Sequence, residues 1–323
     1  MPGFSSAVLG RFATAFSIAL SCLVVSAAEA PANPLPVSDP LPVHYGNGYA
    51  FGTVAINDWN GQVPGADNYE CTPSAAHPNP VVLVGSTFLS AAVTWTALAP
   101  YLYNQGYCVY TINYGRKIYN VPPGIIGLDP VANSAREVAD LVARVRQATG
   151  AARIDMVGHS QGGLVSRYFI EQLGGAEVVD KMVLLSSPYK ATGLPVDLAA
   201  IARNTIPQSV FDAIERNGVV PPIPFNFINP YALGLATDHL TPSVTYTQIT
   251  DIADEVGLYG GLTPPAGAPN ASIEYINQAC PTDFSQHFAQ PYSPTAVALI
   301  GNALGTAEQR RPVPCTFVPL YAL

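Results

Sequence analysis

Short apolar runs alternate with longer amphipathic segments along this chain. Runs of apolar, β-branched and aromatic residues predict strands at 80–88, 107–115, 153–158, 181–188, 244–250 and 272–277. Apolar positions at helical spacing predict helices at 94–106, 131–150, 164–173 and 293–304. Strands that alternate with helices indicate βαβ units. We therefore expect an α/β fold with a mostly parallel central sheet and helices on both faces.

Two regions depart from this alternation. Residues 29–64 are rich in Pro, Asn and Gly, which predicts an extended N-terminal arm before a single α/β domain over 65–323. Residues 190–243 predict a cap-like insertion, with no charged residue between Arg216 and Asp238. This insertion is either a buried packing segment or an apolar wall over a binding cleft. In the second case the residues that line the cleft would be Phe225, Phe227 and Ile228.

The N-terminus has the pattern of a secretory signal peptide. Arg11 supplies a positive charge, an apolar stretch too short to span a membrane comfortably follows, and small residues come next. We expect a signal peptide over 1–28 with cleavage near 28–30, and Ala28 is favoured because Pro31 disfavours a cut directly before it. A membrane anchor is the alternative. The mature protein is then secreted and has no integral membrane segment.

Composition narrows the possible partners. The net charge is −8 and charged residues make up only 11%, so nucleic acid is not an expected partner. Signal cleavage leaves four cysteines, which in an exported chain predict two disulfides. Of the three possible pairings, Cys71–Cys108 and Cys280–Cys315 are favoured because each closes a local unit. No cysteine or histidine cluster has zinc-site spacing, and neither a metal nor a cofactor is expected.

One serine lies at a strand-to-helix junction, in the hexapeptide GHSQGG at 158–163. Gly158 and Gly162 flank Ser160 where strand and helix pass too closely for side chains. The helix N-terminus would place free N–H groups and a positive dipole end beside Ser160. The pattern predicts a nucleophile, with the amide of Gln161 as half of an oxyanion hole. The alternative is a tight structural turn with a serine that faces solvent.

A serine nucleophile needs a general base, which in turn needs a carboxylate to orient it. In this fold the order along the chain is Ser, then Asp or Glu, then His. His287 follows the last strand and is favoured over His239, which lies in the cap-like segment. For the acid, position alone does not separate Asp251 from Asp254, and Glu255 is third.

The chain resembles the secreted serine lipases of the α/β-hydrolase fold, in particular yeast lipase B and related actinobacterial lipases. The resemblance covers roughly residues 65–315 and depends on "MVGHSQGGLVSRY", "YTQITDIADEV" and the loop "VGSTF". It implies Ser160, Asp254 and His287 as the triad and Gln161 and Thr87 as the oxyanion donors. It also implies the two favoured disulfides.

Two positions depart from the family pattern. Gly85-Ser86 stand before Thr87 where the family has His-Gly or Pro-Gly, and Ser285-Gln286 precede His287 where an Asp is common. The expected function is a secreted, monomeric carboxylic-ester hydrolase, a lipase that acts on lipophilic esters. The alternatives are a cutinase, a polyester depolymerase or an acyltransferase with the same triad. A more distant one is a non-catalytic binding protein on a hydrolase scaffold.

Overall fold

The computed structural model describes residues 40–57, 60–116, 126–189, 234–236, 238–256 and 261–320. The chain divides into two units: Met1–Ala32, which lies outside the described residues, and Asn33–Leu323, which contains all of them. The predicted signal peptide therefore stays a prediction. Within the described part of the chain, no helix combines the length and the hydropathy needed to cross a membrane.

Six strands of the described residues form one fully parallel sheet in the order β2-β1-β3-β4-β5-β6. The strands are β1 (Val81–Val84), β2 (Val109–Ile112), β3 (Ile154–His159), β4 (Val179–Leu185), β5 (Thr245–Thr250) and β6 (Ala271–Tyr275). Each lies within or beside a run predicted from the sequence, and the parallel pairing confirms the expected βαβ architecture.

Helices cover both faces of this sheet. They are α1 (Asn47–Tyr49), α2 (Ala55–Asn57), α3 (Ala91–Thr94), α4 (Leu98–Asn104), α5 (Val131–Thr149), α6 (Gln161–Gln172), α7 (Ile276–Ala279) and α8 (Pro294–Leu304). Alternate residues of β1 point to opposite faces, as the period of a strand requires. Val82 and Val84 belong to a core with α5 and α6, whereas Val81 and Leu83 pack with α4 and α8.

Helix α5 illustrates how the sequence pattern becomes packing. Its predicted apolar stripe, Val138, Leu141, Val142 and Val145, is buried against the sheet. The helix ends at Gly150, whose φ of 69° is the left-handed conformation common at helix C-termini. The amphipathic pattern therefore predicted both the helix and the face that it buries.

Two local expectations differ from the structure. The predicted helix 94–106 is shorter in the structure, where α4 begins at Leu98 and a separate helix, α3, ends at Thr94. Pro100 has no N–H to bond the carbonyl four residues earlier, so the helix does not extend back through Thr96. Part of the N-terminal arm is helical instead of extended: α1, a π-helical segment Ala50–Val54 and α2 follow one another. Ala50 and Phe51 are buried against Leu89 and Tyr292, and this packing stabilises a helical conformation that the local sequence does not indicate.

Both favoured disulfides are present. Cys71 is bonded to Cys108, beside the start of β2, and Cys280 is bonded to Cys315. The first joins the segment before β1 to the edge of the sheet, and the second joins the end of α7 to the C-terminal segment.

Candidate active site

The predicted site residues converge at one edge of the sheet. Ser160 directly follows β3, Thr87 follows β1 and Asp254 follows β5, while His287 lies in the loop between α7 and α8. Because parallel strands end at the same edge, loops far apart in sequence meet there. Thr87, Ser160, Gln161 and His287 line a single depression at this edge, together with Phe88, Pro188, Val256 and Phe288.

Ser160 occupies a strained turn between β3 and α6. Its φ of 54° and ψ of −123° are unusual for any residue other than glycine. A Cβ on Gly162 would lie 2.1 Å from the Val84 carbonyl oxygen, and one on Gly158 would lie 2.6 Å from the Gly163 Cα. The glycines on both sides are therefore required by close backbone contact, as the motif predicts.

Asp254 and His287 form a buried pair beside this turn. The imidazole Nδ1 lies 3.0 Å from Oδ2 and 3.1 Å from Oδ1 of Asp254. Because an ionised carboxylate only accepts hydrogen bonds, the proton of a neutral His287 is on Nδ1. The Nε2 lone pair is then available to accept a proton, which is the tautomer that a general base requires.

The surroundings of His287 also favour its protonated form. Burial alone lowers the pKa of the imidazole. The charge of Asp254, its hydrogen bond and the charge of Glu255 outweigh this effect, so the pKa of His287 lies above its ordinary value. An imidazolium formed when the base takes a proton would thus be stabilised.

Three further side chains form hydrogen bonds with this pair. Gln290 Nε2 donates to Asp254 Oδ2 over 2.9 Å, and Glu255 Oε2 accepts the His287 backbone N–H over 2.9 Å. His159 Nε2 donates to the His287 carbonyl oxygen over 2.9 Å. Burial lowers the pKa of His159 to about 3, so this ring stays neutral beside the base. His159 therefore links the end of β3 to the loop that carries His287.

Gln290 extends the contacts of Asp254 to the sheet. Its Oε1 accepts a 2.6 Å hydrogen bond from Ser186 Oγ, which also lies 3.0 Å from Thr250 Oγ1. Ser186 and Thr250 lie at the ends of β4 and β5. The carboxylate is thus fixed by side chains anchored to two neighbouring strands.

The alternative candidates for the acid and the base, Asp251 and His239, occupy different environments. Asp251 Oδ1 accepts the Ala253 N–H over 2.7 Å, which makes Asp251 a turn residue, and burial raises its pKa to about 6. His239 is exposed and pairs with its neighbour Asp238 over 2.7 Å. Of these candidates, the structure brings only Asp254 and His287 into a buried pair.

The remaining predicted site residues are the two oxyanion donors and the acyl-site candidates. Thr87 and Gln161 are both buried and line the depression. The acyl-site candidates Phe225, Phe227 and Ile228, and most of the cap-like insertion, lie outside the described residues. Among the residues described, no group of three or more His, Cys, Asp or Glu could hold a metal ion.

Residues 78–193 match the family model of the class 2 lipases. This segment is similar to the class 2 lipases. It includes β1 to β4 and the Ser160 turn, so the resemblance to serine lipases is confirmed over that part of the chain. Together with the parallel sheet and the strained Ser160 turn, the match identifies the α/β-hydrolase fold, and it supports an ester hydrolase.

Similar solved structures include lipases and an esterase. Lipase B of Aspergillus fumigatus is 19% identical, with a TM-score of 0.46; the match covers 78% of this chain and 57% of the Aspergillus chain. Bacillus licheniformis lipase BlEst2 is 12% identical, with coverages of 72% and 94% and a TM-score of 0.48. Esterase RhEst1 of a Rhodococcus species is 16% identical, with coverages of 72% and 92% and a TM-score of 0.44.

Sequence reasoning missed some of the residues that support the site. Gln290 lies in no motif, and the sequence marks His159 only by its place beside Ser160 in GHSQGG. Glu255 was weighed as an acid, whereas the structure places it on the backbone of His287. No local sequence pattern predicts these contacts, because each joins residues that are more than 30 positions apart along the chain.

Proposed function

We propose that the protein is a secreted carboxylic-ester hydrolase, a lipase that acts on lipophilic esters. The buried Asp254–His287 pair beside the strained Ser160 turn is the observation that carries this proposal. The class 2 lipase match over residues 78–193 supports it independently. The two disulfides fit an oxidising compartment, and hence secretion.

In this mechanism Ser160 Oγ attacks the ester carbonyl carbon while His287 Nε2 takes the hydroxyl proton. Asp254 keeps the proton of Nδ1 in place and stabilises the imidazolium that forms. Backbone N–H groups of Gln161 and Thr87 donate to the oxyanion of the tetrahedral intermediate. The imidazolium then protonates the leaving alcohol. A water molecule, activated by the same imidazole, releases the acid and restores Ser160.

The test is hydrolysis of p-nitrophenyl esters from acetate to palmitate by the mature protein and by Ser160→Ala. We expect Ser160→Ala, His287→Ala and Asp254→Asn to lose activity by at least about 10³-fold. The matched controls His239→Ala and Asp251→Asn change the residues that position alone did not exclude, and should retain most of the activity.

The preferred acyl-chain length and further activity assays separate a lipase from the alternative functions. A preference for long acyl chains is expected for a lipase. Hydrolysis of polyesters, or acyl transfer to an added alcohol in preference to water, would instead favour a depolymerase or an acyltransferase. A folded protein that hydrolyses no ester and whose Ser160 is not labelled by a fluorophosphonate would contradict the proposal and favour a binding protein.

A further inference from the structure

A buried tyrosine lies behind the two proposed oxyanion donors. Tyr114 comes two residues after β2 and is fully buried. Its hydroxyl oxygen lies 2.7 Å from the Gly85 carbonyl oxygen and 3.0 Å from Gln161 Oε1. These distances are those of good hydrogen bonds. One hydroxyl therefore bridges the loop after β1 and the first residue of α6.

The hydrogen-bonding capacity of the three groups is consistent with this bridge. A phenol has one proton to donate and an oxygen that also accepts. The single proton goes to the Gly85 carbonyl oxygen, and the Gln161 amide, turned so that Nε2 faces the Tyr114 oxygen, donates the second hydrogen bond. Burial raises the pKa of Tyr114, which keeps the hydroxyl protonated and able to donate.

The backbone of Tyr114 reaches the same loop by a second route. Its carbonyl oxygen accepts the Gly127 N–H over 2.9 Å, and the carbonyl of the adjacent Ile126 accepts the Phe88 N–H over 2.9 Å. Phe88 has a φ of 73°, a conformation that requires support in a residue other than glycine. Tyr114 is thus connected to both ends of the segment that contains Thr87.

Gly127 completes the contact between the two halves. Its φ is 74°, and an added Cβ would lie 2.5 Å from Gln161 Oε1 and 3.1 Å from the Thr87 Cα. The Gln161 side chain and the Thr87 backbone therefore both lie against Gly127. A shift of either segment would displace the other, because Gly127 and the Tyr114 hydroxyl contact both segments.

We propose that Tyr114 is a positioning residue that sets the separation of the two halves of the oxyanion hole. The inference rests on the proposed function, since an oxyanion hole has a role only if Ser160 attacks a carbonyl. The physical reason is that donors stabilise a developing oxyanion only when they are already placed before the reaction. The hydroxyl joins the two segments directly, at the base of both donors.

The test is Tyr114→Phe, which removes one oxygen and leaves the buried ring. Tyr110→Phe is the matched control, because the Tyr110 hydroxyl is also joined to a backbone carbonyl, that of Asn68 over 3.0 Å, and the residue lies on β2 away from the site. Both variants should lose similar stability. We expect kcat of Tyr114→Phe to fall about 10- to 100-fold with KM within threefold, and Tyr110→Phe to keep wild-type kinetics.

A second readout separates oxyanion binding from a general loss of structure. A trifluoromethyl ketone forms a hemiketal oxyanion with the active-site serine, so its inhibition constant should weaken in Tyr114→Phe by the same factor as kcat/KM. An active wild type with unchanged kcat and ketone affinity in Tyr114→Phe would overturn this inference alone. A wild type that neither hydrolyses esters nor reacts with a fluorophosphonate would overturn the proposed function and this role together.

Discussion

Replacing Gly162 by Ala tests whether the backbone contact at the Ser160 turn is as close as the structure indicates. The added Cβ would lie 2.1 Å from the Val84 carbonyl oxygen and 2.4 Å from the Gly85 carbonyl oxygen. Real Cβ contacts do not fall below 3.0 Å, so the nearer pair must separate by 3.0 − 2.1 = 0.9 Å. Both neighbours are backbone atoms, and no side chain can rotate away to relieve the contact.

The required shift acts directly on the proposed oxyanion hole. Either the end of β1 or the first turn of α6 must move, and these segments carry Thr87 and Gln161. A displacement of about 1 Å costs on the order of 10²-fold in rate when a catalytic geometry is misplaced. Overpacking of a tight contact costs about 1–3 kcal/mol of stability. We therefore expect Gly162→Ala to lose about 100-fold in kcat and to unfold at lower temperature.

The assay is p-nitrophenyl ester kinetics together with thermal and urea unfolding. Gly48→Ala is the matched control, because a Cβ on Gly48 would meet nothing within 4 Å and its residue lies in α1. That variant should keep wild-type activity and equal or slightly greater stability. If Gly162→Ala keeps more than a third of the wild-type kcat and matches Gly48→Ala in stability, the close-contact reasoning is wrong.

Three further predictions concern charge and covalent structure. Burial lowers the pKa of His287 and the charge of Asp254 raises it, so Asp254→Asn should move the rising limb of the kcat/KM profile to lower pH, besides reducing the rate; an unmoved limb would contradict the pairing. Burial raises the pKa of Asp155 from 3.8 to about 7, so its ionisation opposes folding as the pH rises from about 4 through 7. Asp155→Asn should therefore be more stable than wild type in urea at pH 8, by up to about 4 kcal/mol, and lose that advantage at pH 4; equal differences at both pH values would refute this. Changing Cys71 and Cys108 to Ser together should reduce the free energy of unfolding by about 3–4 kcal/mol for a loop of 37 residues, and urea titration that shows no loss would exclude that stabilisation.

Much of the fold followed from local pattern. The β1 run is apolar at every position because a strand buried on both faces has no polar side. The sequence predicts the role of Ser160 because a strand-to-helix turn that exposes a nucleophile needs glycines at fixed spacing. Five consecutive residues are enough to show that spacing. The helical part of the arm at 47–57 was not predicted, because its conformation depends on packing against Leu89 and Tyr292.

The choice between Asp251 and Asp254 shows where local pattern stops. Both lie in one short turn after β5, and spacing gives them equal access to an imidazole. The structure separates them, because Asp254 faces His287 while Asp251 caps the Ala253 N–H. Which side chain points to a residue 33 positions away depends on how β5 and the loop after α7 meet.

The sequence by itself determined the order of strands and helices along the chain, the candidate nucleophile and the short set of candidate partners for it. Those features depend on residues close together in the chain, where period, glycine spacing and strand ends act within a few positions. Only the tertiary structure decided the contacts of Gln290 with Asp254, of His159 with the His287 carbonyl, and of Tyr114 with Gly85 and Gln161. Such contacts join segments whose separation along the chain carries no periodic signal, so they exist only once the sheet has brought its loops to one edge.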